Sequence, residues 1–229
     1  VLRPAIRHHL ASRTDATLQA AQEALDSGDV HRALELGKSA LIRARKSQRS
    51  TGPCLMLLGL AREQQGERGS PADRLVYYAA AAQHFVEAAK AGLAPEQETR
   101  LHFHLAKCQH MRGQYSESIP MLEQSLSTYL AGRAEALQLL TLAYLEPPQL
   151  DLEQANQHNL ELMQTPGIAK EQLSQAWETR RDLLAQLGRS DPLADIDLSE
   201  VSTDTKWVSA MVRACELFQD KNFDATIAC

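Results

Sequence analysis

Small and apolar residues recur along this chain at spacings of three and four, the mark of helices that each bury one face. Ala20, Ala21, Ala24 and Leu25 lead into Gly28-Asp29, and Ala33, Leu36, Gly37, Ala40 and Leu41 follow it. The pattern predicts a helix capped by Asp15 and ending near Asp26, then a partner helix from about Val30 to Lys46. Gly28 suits the left-handed turn between them, because it has no Cβ to clash there. Residues 1–13 read as a basic lead-in ahead of the first helix.

The same two-helix pattern returns further along. Leu57-Leu58-Gly59-Leu60-Ala61 forms the centre of a helix opening near Pro53, with Gly59 placed to let two helices approach. Gly66 reads as its turn, stretched by an insertion from Glu67 to Val76. Ser70-Pro71-Ala72-Asp73 resembles a helix start, with serine as cap and proline in the first turn. That helix is expected to reach Lys90 and to bury Ala81, Phe85 and Ala88. A third pair carries Leu101, Leu105, Ala106, Gly113, Leu122 and Leu126, with Pro120 early in its second helix, where the missing N–H costs little. A fourth carries Leu139, Leu140 and Ala143, then a rigid break at Pro147-Pro148, then Ala155. A fifth carries Trp177, Leu184 and Gly188, but residues 190–203 are acidic and lack apolar periodicity, so a loop or a single turn is expected there. A sixth pair begins near Thr205.

The turn positions Gly28, Gly66, Gly113, Pro148, Gly188 and Lys221 lie 38, 47, 35, 40 and 33 residues apart by subtraction. With its Ala, Leu and Gly positions, this spacing resembles the tetratricopeptide repeat, whose unit is about 34 residues. The resemblance covers residues 14–229, in units of about 14–50, 51–93, 96–130, 133–166 and 170–203, with a sixth started over 205–229. It implies an all-α fold, a right-handed solenoid of antiparallel helix pairs in which each pair buries its apolar face against its neighbours.

The resemblance also implies a binding surface. In the family, first-helix residues ten and six positions before the turn face a concave groove. Here those are Leu18 and Gln22, Met56 and Leu60, Phe103 and Lys107, Gln138 and Leu142. Leu18, Met56 and Phe103 would form an apolar stripe flanked by Gln22, Lys107 and His110, able to receive a protein or peptide segment. The function implied is a non-catalytic scaffold for protein–protein interaction. The alternative is a structural or intramolecular spacer within a larger, possibly membrane-anchored protein. Some family members clamp a chaperone's terminal carboxylate with Lys, Asn and Arg. This chain has Leu18, Gln22 and Leu57 at those places, and only Arg100, with His104 nearby, has a suitable character. A chaperone-tail adaptor is not expected.

Charge and composition narrow the partner class. The net charge of -5 argues against nucleic acid, which calls for clustered Lys and Arg. Residues 1–50 hold nine Lys/Arg against five Asp/Glu, whereas residues 146–204 hold four against twelve. The basic end, around Arg3, Arg7 and Arg13, could meet an acidic partner or a membrane headgroup, and membrane anchoring would need a segment beyond this sequence. No run reaches the roughly 18 apolar residues of a membrane span. A chain that opens on Val1 and stops at Cys229, just after a repeat turn at Asn222-Phe223-Asp224, is expected to be a piece of a longer protein.

No chemical motif stands out. The four cysteines, Cys54, Cys108, Cys215 and Cys229, lack any CxxC spacing and read as small apolar residues. His102, His104, Cys108 and His110 cluster in sequence, but only His104 and Cys108 share a helical face, too few ligands for zinc. His8-His9 has no orienting carboxylate or nucleophile nearby, and Gly66-Glu67-Arg68-Gly69 lacks the flanks of a phosphate loop. Glu178 and Asp182 read as a solvated face. Neither a cofactor, a metal nor an enzymatic activity is expected.

Overall fold

The computed structural model describes residues 4–189, with side chains from residue 12 onward. All regular structure within them is helical: nine α-helices and a single 3-10 turn, without strands. Contacts divide the chain into two compact units after Met121. The sixth repeat and the acidic segment expected over residues 190–203 lie outside the described residues.

In the first unit, α1 (Pro4–Asp26) packs on α2 (Val30–Ser47), α2 on α3 (Gly52–Arg68), α3 on α4 (Pro71–Ala91), and α4 on α5 (Pro95–Met111). Contacts also run from α1 to α3 and from α3 to α5, so the first helix of each pair touches the first helix of the next. Short turns fold each helix back on its predecessor. Gly28 adopts φ +81° as expected, and Asp29 then caps α2 by accepting a 3.0 Å hydrogen bond from the Arg32 N–H. Two bonds between turns set the register. Arg68 Nη1 donates to the Gly28 carbonyl at 2.7 Å, and Ser50 Oγ donates to the Gly92 carbonyl at 3.0 Å.

Two boundaries differ from the sequence expectation. The first helix starts at Pro4 rather than after Asp15, because proline suits a first turn and no helix-breaking residue follows before Gly28. Asp15 therefore sits within α1 and bonds Arg49 at 2.6 Å instead of capping. The insertion at Glu67–Val76 is mostly helical, and α4 opens at Pro71 after Ser70, where a helix start was expected. It lengthens α3 and α4, leaving Gly69-Ser70 as the break. Gly66 is consequently buried within α3, where a Cβ would come 3.0 Å from the Tyr78 ring. Ser70 has the extended backbone of a cap, but its hydroxyl donates to the Asp73 carboxylate at 2.7 Å rather than accepting from the helix backbone.

Leu55, Leu58, Tyr78, Ala81, Phe85, Leu101 and Cys108 form the centre of this unit's core. Each fully buried Leu or Phe contributes about 1.5–3 kcal/mol relative to exposure. Gly59 takes its expected role of close approach, since its Cβ would stand 2.5 Å from Phe85. Cys54 and Cys108 are buried and free, in keeping with small apolar side chains.

The helix α6 (Tyr115–Thr128) runs across the boundary between the units. In the second unit α7 (Arg133–Ala143) packs on α8 (Leu152–Met163), and α8 on α9 (Lys170–Gln186). Pro147-Pro148 lies between α7 and α8, where a break was expected, and Asp151 caps α8 by accepting from the N–H groups of Glu153 and Gln154. Trp177 packs with Leu137, Leu162, Met163, Ile168 and Leu173 to make this unit's core.

Candidate functional site

The nine residues expected to face a groove separate into three groups. Met56 and Leu60 are 5% and 8% exposed and belong to the first unit's core. Phe103 is 1% exposed, with its ring edge-on to His104. The apolar stripe therefore faces inward at Met56 and Phe103, where packing between helices takes the surface a partner would need. Leu18 is half-buried against Ala40, Ala44 and Cys54, and Gln22 donates to Asp26 at 2.7 Å on its own helix.

Lys107 and His110 are also buried, for different reasons. His110 packs edge-on against Tyr115 at 5.1 Å, and burial pushes its pKa down to about 4. Its Nδ1 has no hydrogen-bond partner among the described residues. Lys107 belongs to a charged network joining α3 to α5. Its Nζ lies 3.1 Å from Glu63 Oε1 and 2.7 Å from Glu67 Oε1. His104 Nδ1 approaches the two oxygens of Glu63 at 3.1 and 2.9 Å. Arg100 Nε lies 3.5 Å from His104 Nε2, and because a carboxylate only accepts, it is Nδ1–H that donates to Glu63.

Glu63 is 4% exposed. Burial alone would raise its pKa, but the charges and hydrogen bonds of His104 and Lys107 outweigh that and hold the carboxyl below its ordinary range. Beside the network, burial and the Glu67 charge push Tyr78 up to about 12. Burial, with Glu63 next in weight, also raises the Cys108 thiol, which favours its protonated, unreactive form. The Lys107 ammonium stands between the two carboxylates. The described residues contain no group of three side chains able to hold a metal, and none of their helices is long and apolar enough to cross a membrane.

The sequence reading missed Glu63, Glu67 and His104 as members of one site. The available signal was spacing: Glu63 and Glu67 lie four apart on one helix, and His104 and Lys107 three apart on another.

In the second unit, Gln138 and Leu142 border a shallow cleft with Thr141, Asn159, Gln175 and Thr179. Gln138 Nε2 donates to Gln175 Oε1 at 3.0 Å, tying α7 to α9, and Leu142 remains 42% exposed. Of the expected groove residues, Gln138 and Leu142 border one cleft together, and Leu18 and Gln22 are likewise part-exposed on α1.

Comparison with protein-family models, curated proteins and solved structures returned no match for this chain.

Proposed function

We propose that this chain is a non-catalytic interaction scaffold built from tetratricopeptide-like helix pairs. It holds a protein or peptide segment against the accessible edges of its first helices. The observation that carries this reading is the contact sequence α1 to α3 to α5, which makes one layer of first helices. The α3–α5 joint is fixed by Glu63 and Lys107, which gives such a layer a rigid base. The buried charges do structural work there, and the surface left for a partner is polar, carrying Gln22 and Arg100 in the first unit. In the second unit Gln138 and Leu142 offer amide hydrogen bonds and one apolar contact. Side-chain amides suit a peptide main chain, since each can both donate and accept.

The test is affinity capture from lysate of the source cell by the full chain and by Leu142→Glu and Gln138→Ala variants, read by mass spectrometry. A protein retained by the parent and lost from the variants supports the reading. Equal retention by all three moves the contact to another face. Retention of no protein by the parent favours the spacer role within a larger protein.

A further inference from the structure

The face of α4 turned away from the core carries a seam whose spacing is that of a coiled coil. Ala72, Val76, Ala79, Gln83, Val86 and Lys90 follow one another at intervals of four, three, four, three and four. None of the six is buried, and Val76 and Val86 are 66% and 40% exposed. The core-facing side of the same helix is a separate set, Tyr78, Ala81, Ala82, Phe85 and Ala88. Two valines at seam positions on an outward face are not explained by packing within this unit.

The seam also reads the same from either end about the level of Ala81. Laid against a second α4 running the opposite way, Val76 meets Val86, Ala79 meets Gln83 and Ala72 meets Lys90. That is the condition of a two-fold interface, in which the same patch serves both copies. The ends agree in charge. Lys90, at the last turn, comes within reach of Asp73 in the first turn of the opposing helix, and both side chains are exposed. Glu87, three residues before Lys90 on the same helix, carries the opposite charge and competes with Asp73 of the other copy for Lys90.

A third feature fits the same arrangement. The seam residues Ala79, Gln83, Val86 and Lys90 also form one wall of an open cleft of about 480 Å³, whose other wall includes Leu105 and Gln109 of α5. Leu75, which is 55% exposed, lies seven residues before Ala82 and shares its helix face, the flank that lines this cleft. In the antiparallel pairing, that flank faces its own counterpart, and Leu75 of one copy reaches the cleft beside Val86 of the other.

We propose that α4 is a self-association surface, and that two copies of this chain pair through it antiparallel, with Val76 on Val86, Leu75 in the cleft and Lys90 on Asp73. With only two valines and one leucine from each side, the dimer is weak, with a Kd on the order of 1–100 μM.

Sedimentation equilibrium of the full chain, from micromolar to about millimolar concentration, tests this directly. The parent is expected to shift from monomer to dimer across that range. Val76→Glu and Val86→Glu, both surface changes, should each weaken the dimer by at least roughly tenfold while leaving the circular dichroism unchanged. Lys90→Asp should weaken it as well, and the double variant Asp73→Lys with Lys90→Asp should recover part of the loss. A chain that stays monomeric at millimolar concentration overturns the proposal and assigns the seam to a different occupant. A dimer indifferent to Val76→Glu and Val86→Glu overturns the surface. Failure of the charge exchange to recover any affinity overturns the antiparallel register.

Discussion

Lys107 on α5 and Glu63 on α3 are paired across two successive first helices at 3.1 Å, both almost removed from water. Burying two charges costs several kcal/mol each, and such a pair holds only when further hydrogen bonds satisfy it. Glu67 supplies one of these to Lys107, and His104 supplies the other to Glu63. Removing one partner strands the other.

Lys107→Met is therefore expected to destabilise the chain by about 3 kcal/mol in urea unfolding, more than the usual surface ion pair would cost. Adding Glu63→Gln to that variant should recover part of the loss, because the stranded carboxylate is gone. A loss from Lys107→Met no larger than about 0.5 kcal/mol would place the pair in solvent-like surroundings.

Acid should act in two separable windows. His110 is held neutral by burial, with its pKa depressed to about 4 from 6.5. Between those values the unfolded chain binds a proton that the folded chain refuses, so stability is full above 6.5 and falls as the pH drops toward 4. The loss amounts to about 3 kcal/mol over that window. Glu63 is also depressed, which for a carboxyl means its stabilisation is present above the ordinary value of 4.5 and is lost as the pH falls further. Urea midpoints measured across pH should lose the first slope in His110→Phe and the second in Glu63→Gln. A His110→Phe variant with the parent's slope between 6.5 and 4 would show that His110 is solvated.

At Gly59 even a single methyl has no room, since it would stand 2.5 Å from the Phe85 ring. Gly59→Ala should lose stability despite alanine's better helix propensity, and Gly59→Leu should lose more, by about 1–3 kcal/mol for overpacking. Thermal unfolding reads both. An unchanged Tm for Gly59→Leu would mean that α3 and α4 are not in close contact there.

Phe103→Glu should act on folding rather than on binding. The ring is fully buried, so the variant places an unpaired carboxylate in the core, and the expected outcome is loss of cooperative unfolding. Retained stability in that variant would return Phe103 to the surface.

The helices were legible in the sequence wherever the signal was local. Gly28, Gly113 and Gly188 all adopt positive φ, because a left-handed turn calls for glycine whatever lies around it. Gly66 gives the contrary lesson: glycine there serves the Tyr78 ring packed against it, a contact that no window along the chain displays. The helix start at Ser70-Pro71 was legible from the proline alone, which suits a first turn, whereas the continuation of α3 past Gly66 to Arg68 was not.

The site was less legible, for a related reason. Met56 and Phe103 occupy positions that would face a groove only if the neighbouring helices left them uncovered, and the residues alone do not say so. Glu63 was passed over because a carboxylate is expected in water, and its burial makes sense only beside Lys107 and His104, some forty residues away in the sequence. Gln138 and Leu142 border a shallow cleft between helices, a placement that rests on α8 and α9 as much as on their own helix.

The central claim is that first helices carry the partner. Hydrogen exchange of the full chain with and without the captured partner tests it most directly, read by mass spectrometry of fragments. The account predicts partner-dependent protection on α1, α3, α5, α7 or α9, with Leu142 and Gln138 within or beside a protected stretch. Protection confined to the second helices α2, α4 and α8 would contradict it.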